Sequence, residues 1–126
     1  AVLQVEYGLT AAAVVQGFTI RNGYVTSSSP GSYYGGGVYV NGASPIIRQC
    51  TLNSNQTAYG AGAYIQDGAP QIVNCAFIGN AATAELKYGG GMFISTQYSP
   101  HQATCPHCCI LVGTCKAKME TTAQVA

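Results

Sequence analysis

The chain has 126 residues, only 7% of them charged, and a formal net charge of +1. That length bounds it to one domain at most, and the lack of a basic cluster excludes nucleic-acid binding through a phosphate-neutralising patch. No apolar run reaches the roughly 18 residues of a transmembrane helix.

From the N-terminus, Val2-Leu3-Gln4-Val5 alternates weakly, and no charged-then-apolar secretory start precedes it. The chain therefore reads as a fragment or processed segment. Next comes Val15-Gln16-Gly17-Phe18-Thr19-Ile20-Arg21-Asn22-Gly23, which aligns with Ile47-Arg48-Gln49-Cys50-Thr51-Leu52-Asn53-Ser54-Asn55 at an offset of 32. A Ser-rich stretch ending in Pro30-Gly31-Ser32 follows and is expected to project as a loop.

The strongest signal comes after it. Tyr34-Gly35-Gly36-Gly37-Val38-Tyr39-Val40 returns as Tyr59-Gly60-Ala61-Gly62-Ala63-Tyr64-Ile65, and again as Tyr88-Gly89-Gly90-Gly91-Met92-Phe93-Ile94. The first step is 25 residues, with Pro45, Ile47, Cys50, Leu52 and Asn55 matching Pro70, Ile72, Cys75, Phe77 and Asn80. The second step is 29, with four extra residues in the stretch 81–87. A fixed period of this size marks a solenoid, in which each repeat buries its apolar face against its neighbours. The repeats hold short β-rich runs separated by Asn, Gly, Ser and Pro, with no helical stripe. The expected class is all-β: a parallel β-helix of three to four coils near 11–33, 34–58, 59–87 and 88–99 within a repeat region at 1–99.

The inward columns follow from the register: Val38/Ala63/Met92, Val40/Ile65/Ile94, Val15/Ile47/Ile72, Phe18/Cys50/Cys75 and Ile20/Leu52/Phe77. Coils about 4.8 Å apart stack like on like. Asn55 and Asn80 are expected to form an internal amide ladder, and Cys50 and Cys75 to be buried thiols without a disulfide. The glycine triplets suit positive φ or close backbone approach.

Gly-Gly-[small]-[apolar]-Tyr together with Phe77-Ile78-Gly79-Asn80 resembles the Gly-Gly-Ala-Ile and Phe-x-x-Asn repeats of chlamydial polymorphic outer-membrane proteins. More broadly the chain resembles right-handed β-helix repeats of bacterial surface and secreted proteins. The resemblance covers about residues 11–95, and one repeat departs from it with Leu52-Asn53-Ser54-Asn55. It implies right-handed winding and an extracellular or cell-surface setting. It implies little chemistry, because many functions sit on this fold.

After residue 99 the pattern stops, and 100–126 reads as an irregular tail with His101, Cys105, His107, Cys108, Cys109 and Cys115. One reading is a small metal site built on the Cys-x-x-Cys of Cys105 and Cys108, with Cys109 or Cys115 and His101 as further ligands. Lacking a second spaced pair, the signal is weak. The favoured reading is an out-of-frame or spliced-on stretch: codon choices for 113–125 permit a Phe-x-Gly-Asn followed by Tyr-Gly-Ala-Gly in a shifted frame. No metal or other cofactor is expected.

Tyr39, Tyr64 and Phe93 alternate with inward residues, so they face out as one column. Such a column could stack sugar rings, or it could be an aromatic ladder that stiffens the sheet; the second reading is favoured. Tyr33, Tyr34, Tyr59 and Tyr88 flank the glycine corners beside the variable loops. The four acids, Glu6, Asp67, Glu85 and Glu120, share no column in adjacent coils, so no catalytic carboxylate pair is expected. The expected role is a non-catalytic, structural or adhesive part of an extracellular bacterial β-helix repeat protein, with a glycan or cell-surface ligand and end-to-end self-association as candidate interactions. The alternative is part of a polysaccharide lyase or glycosidase whose catalytic coils lie elsewhere.

Overall fold

The computed structural model describes residues 1–10, 12–25, 34–83 and 89–95, and the backbone of three further strands at 109–110, 118–119 and 122–125. All regular structure among them is β. The strands are β1 (Leu3–Val5), β2 (Val14–Gln16), β3 (Thr19–Arg21), β4 (Val38–Asn41), β5 (Ile46–Arg48), β6 (Thr51–Asn53), β7 (Gln56–Thr57) and β8 (Ala63–Gln66). They continue with β9 (Gln71–Val73), β10 (Ala76–Ile78), β11 (Ala81–Ala82), β12 (Met92–Ser95), β13 (Cys109–Ile110), β14 (Lys118–Met119) and β15 (Thr122–Val125).

These strands form four sheets, ordered β1-β4-β8-β12-β15-β14 (sheet A), β2-β5-β9 (sheet B), β3-β6-β10-β13 (sheet C) and β7-β11 (sheet D). From β4 the chain visits A, B, C and D, returns to A at β8, and repeats the order to β12. The pairing is parallel throughout this span. Its register is the one the repeats set: Val38↔Ala63, Ile47↔Ile72, Leu52↔Phe77. The earlier pass keeps the 32-residue offset, with Val15↔Ile47 and Ile20↔Leu52. It begins before residue 11, because β1 pairs Leu3 with Val38 and Val5 with Val40.

The inward columns fill the core. Val38, Val40, Ala63, Ile65, Met92, Ile94, Ile47, Ile72, Leu52 and Phe77 are all buried. Val15 is only partly buried, and Phe18 is the exposed exception. It is 60% exposed although its register neighbour Cys50 is buried. The column at this point is sized for thiols, and among the described residues no strand pairs with β2 or β3 on the far side to enclose a phenyl ring. Phe18 instead lines an open apolar cleft of about 350 Å³ with Val2, Leu3, Val14, Val15, Thr19 and Ile20.

Each pass turns through left-handed residues at matching positions. Gly35, Gly60 and Gly89 have φ of 62°, 62° and 60°. Gly17, Gln49 and Asn74 form a second such column at 76°, 53° and 50°. The third position of each run needs glycine for room: a Cβ on Gly37 would lie 2.5 Å from the Gly62 carbonyl oxygen of the next pass.

The tail also adds strands. β15 runs antiparallel to β12, β14 runs antiparallel to β15, and β13 runs parallel to β10. Regular backbone therefore lies within the stretch expected to be irregular.

Candidate functional site

Sheet A presents its outward face through the residues between the core positions. Tyr39, Tyr64 and Phe93 stand in register across β4, β8 and β12. Tyr64 and Phe93 are nearly parallel with centroids 5.2 Å apart, and Tyr39 tilts against Tyr64 at 5.7 Å. A second rank, Tyr34 and Tyr59, is joined by its own parallel bridge and covers the first. Tyr34 lies 4.3 Å from Tyr64 and 6.3 Å from Tyr39, and Tyr59 lies 6.0 Å from Phe93.

The column is therefore a packed cluster rather than an open strip. Tyr64 is 6% and Phe93 8% exposed, so neither offers a free ring face. Tyr39 and Tyr34 remain half-buried. Burial pushes the Tyr64 phenol well above its ordinary value, and neighbouring Tyr34 adds to the shift. Tyr33 and Tyr88 lie outside the described residues.

Beside Tyr39 the face turns polar. Its hydroxyl donates to Gln66 Oε1 at 2.9 Å. Tyr7 packs its ring over Gly42, and Gln4 sits opposite Tyr39 in β1. Burial raises the Tyr39 phenol, and Tyr7, Tyr34, Glu6 and Asp67 add to it in that order. Two acids thus act on one hydroxyl, although they lie 61 residues apart and share no column in adjacent repeats. The sequence signal was the weak alternation at Val2–Val5: placing it on Val38–Val40 brings Glu6 alongside Asn41 and Gln66, next to Asp67. Asn41 Oδ1 is sealed from solvent and accepts no hydrogen bond.

Inside the stack, the asparagine ladder forms as the repeats require. Asn55 Nδ2 donates to Asn80 Oδ1 at 2.9 Å and to the Ile20 carbonyl at 3.0 Å. Asn80 Nδ2 donates to the Leu52 carbonyl at 2.8 Å. The Asn55 amide N–H also reaches Asn80 Oδ1, at 3.0 Å. The first pass has Gly23 at this position, and its N–H donates to Asn55 Oδ1 at 2.8 Å. Cys50 and Cys75 are free, buried thiols whose Sγ atoms approach backbone carbonyls, Arg48 at 3.3 Å and Val73 at 3.4 Å. Burial raises the Cys75 thiol.

Among the described residues, no three His, Cys, Asp or Glu side chains gather where a metal could bind. The tail candidates Cys105, Cys108 and Cys115, with His101 and His107, lie outside the described residues. So do Glu85 and Glu120. Cys109 is placed only as backbone of β13. No family model, no curated protein and no solved structure matches the chain.

Proposed function

We propose that the chain is a right-handed parallel β-helix and serves as a structural or adhesive, non-catalytic part of an extracellular bacterial repeat protein. The observation that carries this reading is the in-register stacking of all four sheets. Side chains that recur in sequence are used on one another: apolar on apolar, amide on amide, ring on ring. Such a stack is a stiff, extensible rod whose outer face carries any contact with a partner.

The ligand class in this reading is a glycan, contacted at the rim of the aromatic cluster. Tyr39 and Tyr34 keep part of their rings accessible, while Tyr64 and Phe93 support them from beneath. A ring stacked on such a platform gains about 0.5–1.5 kcal/mol beyond area burial. The test is titration of the folded chain and of Tyr39→Ala against a panel of glycans, with reducing-end release followed in parallel. Binding that weakens in the variant, without release, supports the reading. Equal binding in both moves the contact off this face, and sustained glycan cleavage overturns the non-catalytic role.

A further inference from the structure

The sequence contains two Asn-Gly steps, Asn22-Gly23 and Asn41-Gly42. This dipeptide is the one most prone to deamidate, because glycine leaves its own backbone nitrogen unhindered. That nitrogen gives its proton to solvent base and attacks the asparagine Cγ. The new N–Cγ bond forms, ammonia leaves, and a succinimide remains. Water then opens the ring at either carbonyl, giving Asp or isoAsp. The reaction needs the glycine N–H free and a donor or water for the charge that develops on Oδ1.

The fold denies both steps their nucleophile by different means. The Gly42 N–H donates to the Gln66 backbone carbonyl at 2.8 Å. In addition, Asn41 Oδ1 is sealed from solvent and accepts no hydrogen bond, so charge developing there has no donor to stabilise it. The Gly23 N–H is held by a side chain, Asn55 Oδ1 at 2.8 Å, and Asn22 itself is exposed. The strands of that first pass lie at the ends of sheets A, B and C, where local opening requires the fewest contacts to break.

We propose that Asn22-Gly23 is a gated deamidation site, held shut by the Asn55 side chain and opened when the first pass lifts from the second. The product makes opening irreversible. An isoAsp at this point inserts a methylene into the main chain between the Asn22 N–H, which donates to Asn53 at 3.2 Å, and the Gly23 carbonyl, which accepts from Gln56 at 2.7 Å. Both bonds tie the first pass to the second. The ladder that organises the core therefore also protects the chain chemically, and a chain that has once opened carries a permanent mark.

The test is incubation at mildly alkaline pH, with peptide mass spectrometry resolving Asn, Asp and isoAsp at both steps. In the folded chain both sites should react at least about tenfold more slowly than in urea, as expected when reaction follows an opening equilibrium. Asn55→Ala should speed Asn22 while Asn41 stays slow. Asn80→Ala removes another rung of the same ladder but leaves the Gly23 acceptor in place, so Asn22 should stay slow. Asn22 reacting in the folded chain at its unfolded rate would overturn the proposal. So would equal acceleration of Asn22 and Asn41 in Asn55→Ala, or equal acceleration of Asn22 in both ladder variants.

Discussion

The two passes between residues 34 and 82 and the first pass at residues 1–25 are written in the same pattern yet are stabilised unequally. In the second pass Val38, Val40, Ile47 and Leu52 have a register partner on both sides, and in the third Ala63 and Ile65 do too, whereas Ile72 lies on β9 at the end of its sheet. In the first pass the same columns have, among the described residues, a neighbour on one side only. Val38, Ile47 and Leu52 are buried, whereas in the first pass Ile20 is buried, Val15 is half-buried and Phe18 is 60% exposed. Cover by a neighbouring pass adds to burial in this architecture, most visibly at Phe18, yet Ile20 and Ile72 are buried on end strands of their sheets, so side-chain shape and position decide as well.

The largest effect should come from testing that difference directly. Phe77→Ala removes a fully buried ring from the Ile20/Leu52/Phe77 column and should cost about 3–5 kcal/mol by urea unfolding. Phe18→Ala, in the first pass, should change stability by no more than about 0.5 kcal/mol. Comparable losses in the two variants would mean that the cleft around Phe18 is closed in solution, and the comparison would fail.

The next largest effect tests the polar ladder that joins the two regions. Asn55→Ala leaves the buried Gly23 N–H of the first pass without its partner, at about 1–3 kcal/mol for a buried group left unpaired, and removes the amide bond to the Ile20 carbonyl. Hydrogen exchange should show faster exchange in residues 14–25 than in residues 46–57. Uniform acceleration across both would mean that the passes unfold as one unit.

How far these features were legible in the sequence follows from the same physics. The columns, the amide ladder and the glycine corners repeat at 25 residues, so register locates them, whereas the left-handed corner at Gln49 and Asn74 is written in residue types that do not declare it. Phe18 misled because alignment reports a column position and is silent on whether the column is covered. The aromatic column was legible as outward-facing. Its second rank was not, because Tyr34 and Tyr59 meet Tyr64 and Phe93 from a corner whose direction the alternation rule does not give. The pairing of Glu6 with Asp67 around Tyr39 depended on β1, whose alternation is too short to declare its register.

The later passes also carry the alkaline limit of the fold. Burial raises both the Cys75 thiol and the Tyr64 phenol above their ordinary values of 9.0 and 10.0. In each case the unfolded chain releases its proton at a lower pH than the folded one. The stabilisation is therefore complete below the ordinary value and is lost as pH rises from there toward the raised one. Unfolding midpoints should fall above pH 9, and more steeply above pH 10. Tyr64→Phe should flatten the second part, and an unchanged slope in that variant would assign the loss to other groups.

The smallest effect separates backbone strain from stacking. Gly17, Gln49 and Asn74 occupy one left-handed corner column, Gly17 in the first pass and Gln49 in the second. A non-glycine residue in this conformation costs about 1–2 kcal/mol. Gln49→Gly relieves that strain, but it loses an exposed hydrogen bond from Gln16 and gives the unfolded chain more freedom. The net gain should be about 0.5 kcal/mol. Gly17→Ala introduces the strain where nothing lies within 4 Å of the new Cβ, so its cost is conformational and not steric. It should lose about 1 kcal/mol. Corner effects of similar size and opposite sign, beside the large gap between Phe77 and Phe18, would show that the first pass adopts the same backbone as the others and differs only in cover. No loss in Gly17→Ala would show instead that the first pass is already released at the point where the rest unfolds, and the difference between the two regions would then be one of folding and not of cover.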